Sequence, residues 1–293
     1  MKVSNLIRRI SQASQEIIGD TSSESELLFI HSILGLCCLP YKSLPLETTT
    51  YRRDIGKMSL LVQSGSIFDP HKNKWVNQSI PIGKKPRILS IALCSEAIKK
   101  GNPIIKASPS MTSYIKKLGF HPTSATISSF KKALMSLVAC RFQLGFIDAD
   151  MPNVINTHFI SKCETYFPSN KDQLSLWDSE IVLSSDFYDS LTLHAIPLDA
   201  RIVRALQHNA RALDIYVWLN YRLRYLKKPS RVGYNALKNQ FSTQTTNSDT
   251  FKRQFNLALK EVLAVYHAAR VDSIWGGLLL YPSRSSVRKI SNP

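Results

Sequence analysis

Residues 250–266 read TFKRQFNLALKEVLAVY, and the apolar side chains among them recur at intervals of three and four. This spacing predicts a helix with one buried stripe, formed by Phe251, Phe255, Leu259, Val262 and Tyr266. The opposite side carries basic and amide side chains. Just before it, residues 247–249 read NSD, whose side chains can accept hydrogen bonds from the free amides of a first turn, so we expect the helix to begin there.

A shorter helix precedes this one and a hairpin follows it. Tyr234, Leu237 and Phe241 give the shorter helix a buried edge. The Gly276-Gly277 pair stands between two strand-like runs, as tight hairpin turns prefer. Helix, turn, helix and hairpin is the order of a winged helix, in which the second helix of the pair usually enters the DNA major groove.

Composition favours a polyanionic partner. The 293 residues include 38 Lys and Arg against 21 Asp and Glu, a net charge of +17, and 44% are hydrophobic, which is typical of globular chains. A membrane surface is the rival polyanion to nucleic acid. We favour nucleic acid because the positive charge is spread through folded segments, and the longest apolar run, residues 27–40, is too short to span a bilayer.

The five cysteines contain no C-x-x-C pair, which argues against a disulfide framework or a zinc site and favours a reducing cytoplasm. No Gly-x-x-x-x-Gly-Lys-Ser/Thr phosphate loop occurs, so ATP hydrolysis is not expected. Asp148 and Asp150 stand at the end of a predicted strand and could hold Mg²⁺ in a primase-like enzyme; the other interpretation, which we prefer, is a hairpin turn. We therefore expect no enzyme activity, no metal and no cofactor.

The same order of elements is predicted earlier in the chain, with helices at residues 86–100, 110–118 and 126–140 followed by two strands. Three short matches between the halves are offset by about 120 residues and suggest an internal duplication. They pair residues 61–64 with 181–184, 80–82 with 196–198, and 130–132 with 251–253. We predict an α+β protein with two tandem winged-helix domains.

The predicted boundaries give three regions. Residues 1–30 form an extension with a short amphipathic helix, which is either a frayed appendage or a docking helix for a partner protein. Residues 31–165 form the first winged-helix domain with additional strands. Residues 166–293 form the second, which ends in a basic tail; a polar linker is expected at residues 167–175.

Two long intervals lack carboxylates altogether. No Asp or Glu occurs between Glu96 and Asp148, which span eight basic residues, or between Asp214 and Asp249, which span six. Solvated faces usually mix both signs of charge, so these intervals are where we expect a DNA backbone to lie. The candidate DNA-binding residues are Lys116, Lys117, Ser128, Ser129, Lys131, Lys132, Lys227, Lys228, Arg231, Lys238, Thr250, Lys252, Arg253, Asn256 and Lys260.

Within this set two kinds of contact are expected. The lysines at 116, 117, 227, 228 and 238 suit phosphates, which supply affinity and salt dependence without sequence reading. Arg253 and Asn256 suit base edges, because Arg matches guanine and Asn matches adenine bidentately. The first domain, with Ser128, Ser129, Lys131 and Lys132, is expected to grip the backbone.

The chain resembles the plasmid-encoded RepA replication initiator family. The likeness is most specific at residues 197–201 (PLDAR), 210–216 (ARALDIY) and 218–219 (WL). It extends over about residues 36–282, through 39–41 (LPY), 68–70 (FDP), 75–76 (WV), 130–131 (FK), 143–145 (QLG) and 276–278 (GGL).

This resemblance implies a function for the chain. Such proteins bind directly repeated origin sequences with tandem winged helices, open an adjacent AT-rich region and recruit the host replicative helicase, with the host initiator as a further partner. They often repress their own promoter, which controls plasmid copy number, and a homodimer is expected there. A transcriptional repressor without origin activity remains an alternative, as does the primase-like enzyme.

Overall fold

The computed structural model describes residues 10–15, 17, 27–45, 47–69, 72–106, 110–148, 151–163, 180–242 and 247–287. The chain combines helices and antiparallel sheets, so the α+β class is confirmed. It divides into two compact units. We call His31–Ala195 the N-terminal unit, and Ile196–Pro293 together with Met1–Ile30 the C-terminal unit.

In chain order, the first elements are β1 (Leu27–His31), α1 (Ser32–Cys37), β2 (Thr50–Ile55), β3 (Met58–Gln63), β4 (Ser66–Asp69), β5 (Lys74–Asn77), α2 (Lys84–Lys100), β6 (Ile104–Lys106), α3 (Met111–Lys117), α4 (Ser124–Ala139), β7 (Arg141–Asp148), β8 (Met151–His158), β9 (Ile160–Cys163), β10 (Glu180–Leu183) and α5 (Ser185–His194). They continue with β11 (Ala195–Asp199), α6 (Ala200–Leu206), α7 (Ala210–Tyr225), β12 (Ser230–Gly233), α8 (Tyr234–Phe241), α9 (Ser248–Leu263), β13 (Val271–Ile274) and β14 (Gly277–Leu280).

The described residues of the N-terminal unit form three sheets. One has the strand order β2-β3-β7-β8, a second has the order β6-β10-β9, and β4 pairs with β5 alone. The rings of Phe142, Phe159 and Phe187 are fully buried and lie next to one another, with centroids 6.1 Å and 4.7 Å apart along the series. Ser110 and Thr123 are the N-caps of α3 and α4, and their side chains accept hydrogen bonds from amides of the first turns.

The C-terminal unit is built around α7, which is buried along most of its length. Trp218 is 3% exposed and its ring lies 5.4 Å from that of Phe241, so it belongs to the core. Strands β12, β14 and β13 form an antiparallel sheet in that order, so the terminal hairpin is joined to the strand before α8. A helix pair is thereby followed by a three-stranded sheet.

Two of the predicted boundaries differ from the structure. The units divide at 195/196 and not at 165/166, because β10 pairs with β6 and β9 of the N-terminal unit. The predicted extension at 1–30 is not a separate region where it is described: β1 pairs with β11, and Ser14, within the helical residues 10–15, lies 3.2 Å from His267. The predicted linker lies outside the described residues.

The first of the three sequence matches that suggested a duplication does not pair a segment of one unit with a segment of the other. Residues 61–64 and 181–184 both belong to the N-terminal unit. The two units nevertheless share one order of elements, since α2, β6, α3, α4, β7 and β8 correspond in type to α7, β12, α8, α9, β13 and β14. Their sheets differ, because β7 lies between β3 and β8, whereas β13 pairs with β14 as an edge strand among the described residues.

Candidate nucleic-acid interface

Helix α9 separates an apolar side from a cationic one. It begins within the predicted start at residues 247–249: Asn247 is the N-cap, and its side chain accepts from the amide of Asp249. The buried side is formed by Phe251, Phe255, Ala258, Leu259 and Val262. Lys252, Arg253 and Lys260 are exposed, and Thr250 is half-buried. Since burial of the aromatic stripe fixes how the helix is rotated, it also directs the basic side chains outward.

Arg253 and Lys260 form no ion pair with any other described residue. Lys252 lies 3.6 Å from the carboxylate of Asp249, a pair that is exposed and therefore weak. The other acidic residue of the helix, Glu261, is turned to His208 and Asn209, whose nitrogens lie 3.2 Å and 3.1 Å from its Oε2. Glu261 therefore does not neutralise the basic face of α9, and Asp249 lies near only one of its basic residues, Lys252.

Asn256 is half-buried and already has a partner. Its amide nitrogen lies 3.0 Å, and its amide oxygen 3.1 Å, from the hydroxyl of Tyr234 on α8. Both groups that would read adenine are therefore used within the protein. The sequence placed Tyr234 on the buried edge of the shorter helix and not among the DNA-binding candidates; its position opposite Asn256 depends on the packing of α8 against α9.

The segment leading into this helix pair is also basic. Lys227, Lys228 and Arg231 are exposed, and Lys238 donates to Ser248 Oγ at 3.0 Å. Arg231 donates to the carbonyl of Trp275 at 2.9 Å. The indole of Trp275 is 92% exposed at the turn of the β13–β14 hairpin. Trp275 was not among the predicted site residues, although its place directly before Gly276-Gly277 indicates a hairpin turn.

The N-terminal unit presents a second basic helix pair. Ser128, Ser129, Lys131 and Lys132 are exposed on α4, opposite the fully buried Phe130. Ser129 donates to the carbonyl of Thr126 at 2.8 Å. On α3, Lys116 is exposed with no ion pair among the described residues, whereas Lys117 lies 2.6 Å from Glu96 of α2. Lys117 therefore has a competing partner within the protein.

The described residues contain no cluster of His, Cys, Asp and Glu suited to a metal ion. Asp150 lies outside them, so the proposed Mg²⁺ pair with Asp148 is not tested.

Four of the cysteines are buried, and burial raises the pKa of Cys37, Cys94 and Cys140 to about 12. No described helix is both long and apolar enough to cross a membrane.

The residues that carried the family resemblance form a structural cluster in the C-terminal unit. Asp199 is buried, caps α6 and pairs with Arg201 at 2.8 Å. The hydroxyl of Tyr216 accepts from the Asp199 amide at 2.9 Å, and Asn220 donates to the Pro197 carbonyl at 2.7 Å. These contacts join β11 to α7. The motif therefore contributes to the core of the C-terminal unit.

The fold is shared with domains of the protein RctB. A crystal structure of selenomethionine derivatives of RctB domains 2 and 3 matches with a TM-score of 0.52 at 10% identity, over 88% of this chain and 99% of that one. A second structure of RctB domains 2–3 matches with a TM-score of 0.51 at 11% identity, over 85% and 94%. Identities this low show the common fold alone.

The sequence of the chain places it in a family. Residues 80–237, more than half of its length, match the family described as plasmid-encoded RepA protein. The chain belongs to this family, as the resemblance indicated, and membership points to plasmid replication initiation. No curated protein shows significant similarity to the chain.

Proposed function

We propose that this RepA protein initiates plasmid replication by binding repeated origin sequences in double-stranded DNA. The observation that carries the proposal is the exposed face of α9, with Lys252, Arg253 and Lys260 outward on a helix held by a buried aromatic stripe. The carboxylate-free intervals extend this positive potential beyond the helix.

In the C-terminal unit, α8 and α9 act as the helix pair of a winged helix, and β12, β13 and β14 supply its sheet and wing. Helix α9 enters the major groove, where Arg253 reads guanine. Asn256 reads adenine after it leaves Tyr234. Thr250, Lys252, Lys260, Lys227, Lys228, Arg231 and Lys238 contact phosphates and fix the register.

In the N-terminal unit, α3 and α4 act as the corresponding pair. Lys116, Lys117, Lys131 and Lys132, with Ser128 and Ser129, hold the DNA backbone. The shared order of elements supports two tandem winged helices that arose by duplication. Such a protein works in the bacterial cytoplasm without catalysis of its own.

Origin binding leads to opening of an AT-rich region and recruitment of the host helicase with the host initiator. A homodimer represses the promoter of the gene and thereby limits copy number. The rival proposal, a repressor without origin activity, uses the same surfaces, so geometry does not separate the two. The primase-like alternative needs Asp148 and Asp150 as metal ligands.

A replication assay separates these functions. A plasmid that carries this gene, its upstream repeats and no other origin should transform a host and be maintained. The triple variant Lys252→Ala, Arg253→Ala, Lys260→Ala should not support maintenance, although its buried stripe is intact. A plasmid that represses a reporter from the same promoter but never replicates would favour the repressor. Loss of replication in Asp148→Asn with unchanged DNA binding would favour the primase.

A further inference from the structure

The β4–β5 hairpin carries two exposed aromatic side chains that touch each other. Phe68 and Trp75 are directly opposite in the strand register, and their ring centroids are 5.7 Å apart in an edge-to-face arrangement. Phe68 is 42% and Trp75 69% exposed. The two strands form a sheet of their own, to which no other described strand is hydrogen-bonded.

The two faces of the hairpin differ. Side chains alternate along a strand, so Ile67 and Val76 share one face, and both are partly buried where β4 contacts α4. The other face carries Phe68 and Trp75 beside a polar pair, in which Ser66 donates to Asn77 Oδ1 at 2.7 Å. The inner face anchors the hairpin, and the outer face offers ring surfaces next to hydrogen-bonding groups.

Charge around the pair is positive. The hairpin sequence, residues 66–77, contains one carboxylate, Asp69, and two lysines, Lys72 and Lys74. The Asp69 side chain is 16% exposed and lies 3.3 Å from the ammonium of Lys72, which neutralises it. Lys74 is exposed and forms no ion pair with another described residue. The hairpin therefore combines aromatic surface with a net cationic rim.

Single-stranded nucleic acid matches this combination. In a duplex the faces of the bases are stacked on each other, whereas a single strand exposes them for stacking on aromatic side chains, and its phosphates suit nearby lysines. Because any base has such a face, the contact is tolerant of sequence. An apolar protein partner would not need the lysines or the Ser66–Asn77 pair.

We propose that the Phe68–Trp75 face of the β4–β5 hairpin binds single-stranded DNA. This inference rests on the proposed function, because the single strand that the hairpin would bind is the one released when the origin opens. The site is separate from α9, since it lies in the N-terminal unit, and it uses stacking where α9 uses base edges and phosphates.

The test uses the full chain and a fluorescein-labelled oligo(dT) of about 20 nucleotides, followed by anisotropy. The double variant Phe68→Ala, Trp75→Ala should bind it about tenfold or more weakly, because two stacking surfaces are lost. Trp75→Phe, which keeps a ring, should stay near the parent. Leu193→Ala, which truncates a 79% exposed side chain of the same unit, is the matched control and should change nothing.

Two further measurements keep the outcomes distinct. Oligo(dT) should quench tryptophan emission in the parent more than in Trp75→Phe, and equal quenching would count against the proposal. Duplex repeat DNA should bind the double variant as tightly as the parent. An oligo(dT) affinity unchanged in the double variant would overturn the single-strand site and favour a protein partner, whereas failure of the parent to bind duplex repeats would overturn the proposed function instead.

Discussion

At the scale of single residues, Arg253 and Asn256 differ although they lie about one turn apart on α9. Arg253 is exposed and has no ion pair among the described residues, while both ends of the Asn256 amide lie within 3.1 Å of the Tyr234 hydroxyl. The sequence predicted both as base readers from their side-chain chemistry alone. The Tyr234 contact could not be predicted, since it depends on how two helices pack.

Arg253→Ala should cost about 1 to 3 kcal/mol in binding to the cognate repeat and little on random DNA, because the loss of a base contact affects specific binding. Anisotropy titrations with both duplexes at one salt concentration measure the difference. Equal losses on the two duplexes would show that Arg253 contacts phosphate.

Asn256→Ala should also lower the stability of the protein, by about 1 kcal/mol, because it removes the partly buried hydrogen bonds to Tyr234. Arg253→Ala, which truncates an exposed side chain, serves as the control and should unfold at the parental urea midpoint. If Asn256→Ala loses affinity for the repeat with no change in stability, the Tyr234 contact is not maintained in solution.

His31 is a buried histidine whose hydrogen bonds require the neutral ring. Its Nδ1 accepts from the Ile33 amide at 3.1 Å, so Nε2 carries the hydrogen and donates to Ser190 Oγ at 2.9 Å. Burial, together with the nearby His194, lowers the pKa of His31 to about 3. In the unfolded chain the pKa returns to about 6.5, so between these values the unfolded state binds a proton that the folded state does not.

The contribution of neutral His31 to the free energy of unfolding is therefore fully present above pH 6.5 and is lost as the pH falls toward 3. We expect the free energy of unfolding to drop by about 2 kcal/mol between pH 6.5 and pH 5 from this residue. His31→Asn keeps a capping acceptor and does not titrate, so it should remove this part of the pH dependence. The exposed His121→Asn should not, and identical pH profiles for all three proteins would contradict the assignment.

At the scale of elements, local sequence patterns predicted most helices but not the pairing of strands that are far apart in the sequence. Helix α9 begins after Asn247, within the predicted start at residues 247–249, and α2 ends at Lys100, as predicted, with Gly101 as its C-cap at a φ of 60°. Strand β10, by contrast, pairs with strands that precede it across long intervals of sequence. No local periodicity encodes such a pairing, so the sequence assigned residues 180–194 to the second domain.

In the hairpin that follows α9, position 277 has no room for a side chain and therefore requires glycine. A Cβ at Gly277 would lie 2.1 Å from the Val232 carbonyl oxygen across the β12–β14 pairing. Gly277→Ala should therefore destabilise the C-terminal unit by about 1 to 3 kcal/mol. Gly233→Ala is the matched control, because its nearest atom would be 3.8 Å away, and it should stay within about 0.5 kcal/mol of the parent in urea denaturation. Equal stabilities of the two variants would contradict the pairing.

The two lysines of α3, Lys116 and Lys117, should contribute differently to DNA binding. Lys116→Ala should weaken binding to all duplexes alike and reduce the slope of log K against log salt by about 0.9, as one phosphate contact is lost. Lys117→Ala should have a smaller effect, because its ammonium pairs with Glu96 at 2.6 Å. Glu96→Gln should free Lys117 and strengthen binding.

The control for this series is Lys42→Ala, which removes an exposed lysine outside both carboxylate-free intervals. Titrations over a range of salt concentrations give the slopes. A Lys116→Ala slope equal to that of the parent, or a Glu96→Gln variant that binds more weakly, would exclude α3 from the DNA-binding surface.

At the scale of the whole molecule, the family match and the proposed reading helix occupy different parts of the chain. The match ends at residue 237, within α8, whereas α9 begins at Ser248. Its most specific residues, around Asp199 and Tyr216, hold β11 against α7. The residues that define the family therefore lie mainly in the structural core. We propose that recognition of a particular repeat depends on α9, which lies outside the matched residues.

Charge and fold together lead to the function proposed for the molecule. A net charge of +17 alone indicates a polyanion and does not choose between a membrane and DNA. The choice comes from where the charges lie, since both helix pairs expose lysines opposite a buried aromatic residue, Phe130 in α4 and Phe255 in α9. Sequence predicted these faces because helical periodicity is local.

The most direct test is a DNase I footprint of the protein on its own plasmid, with the parent compared with the Lys252→Ala, Arg253→Ala, Lys260→Ala variant. The parent should protect evenly spaced repeats upstream of its gene, and the folded variant should protect none at the same concentration. Absence of protected repeats with the parent, or an unchanged footprint with the variant, would contradict the claim that α9 binds the origin.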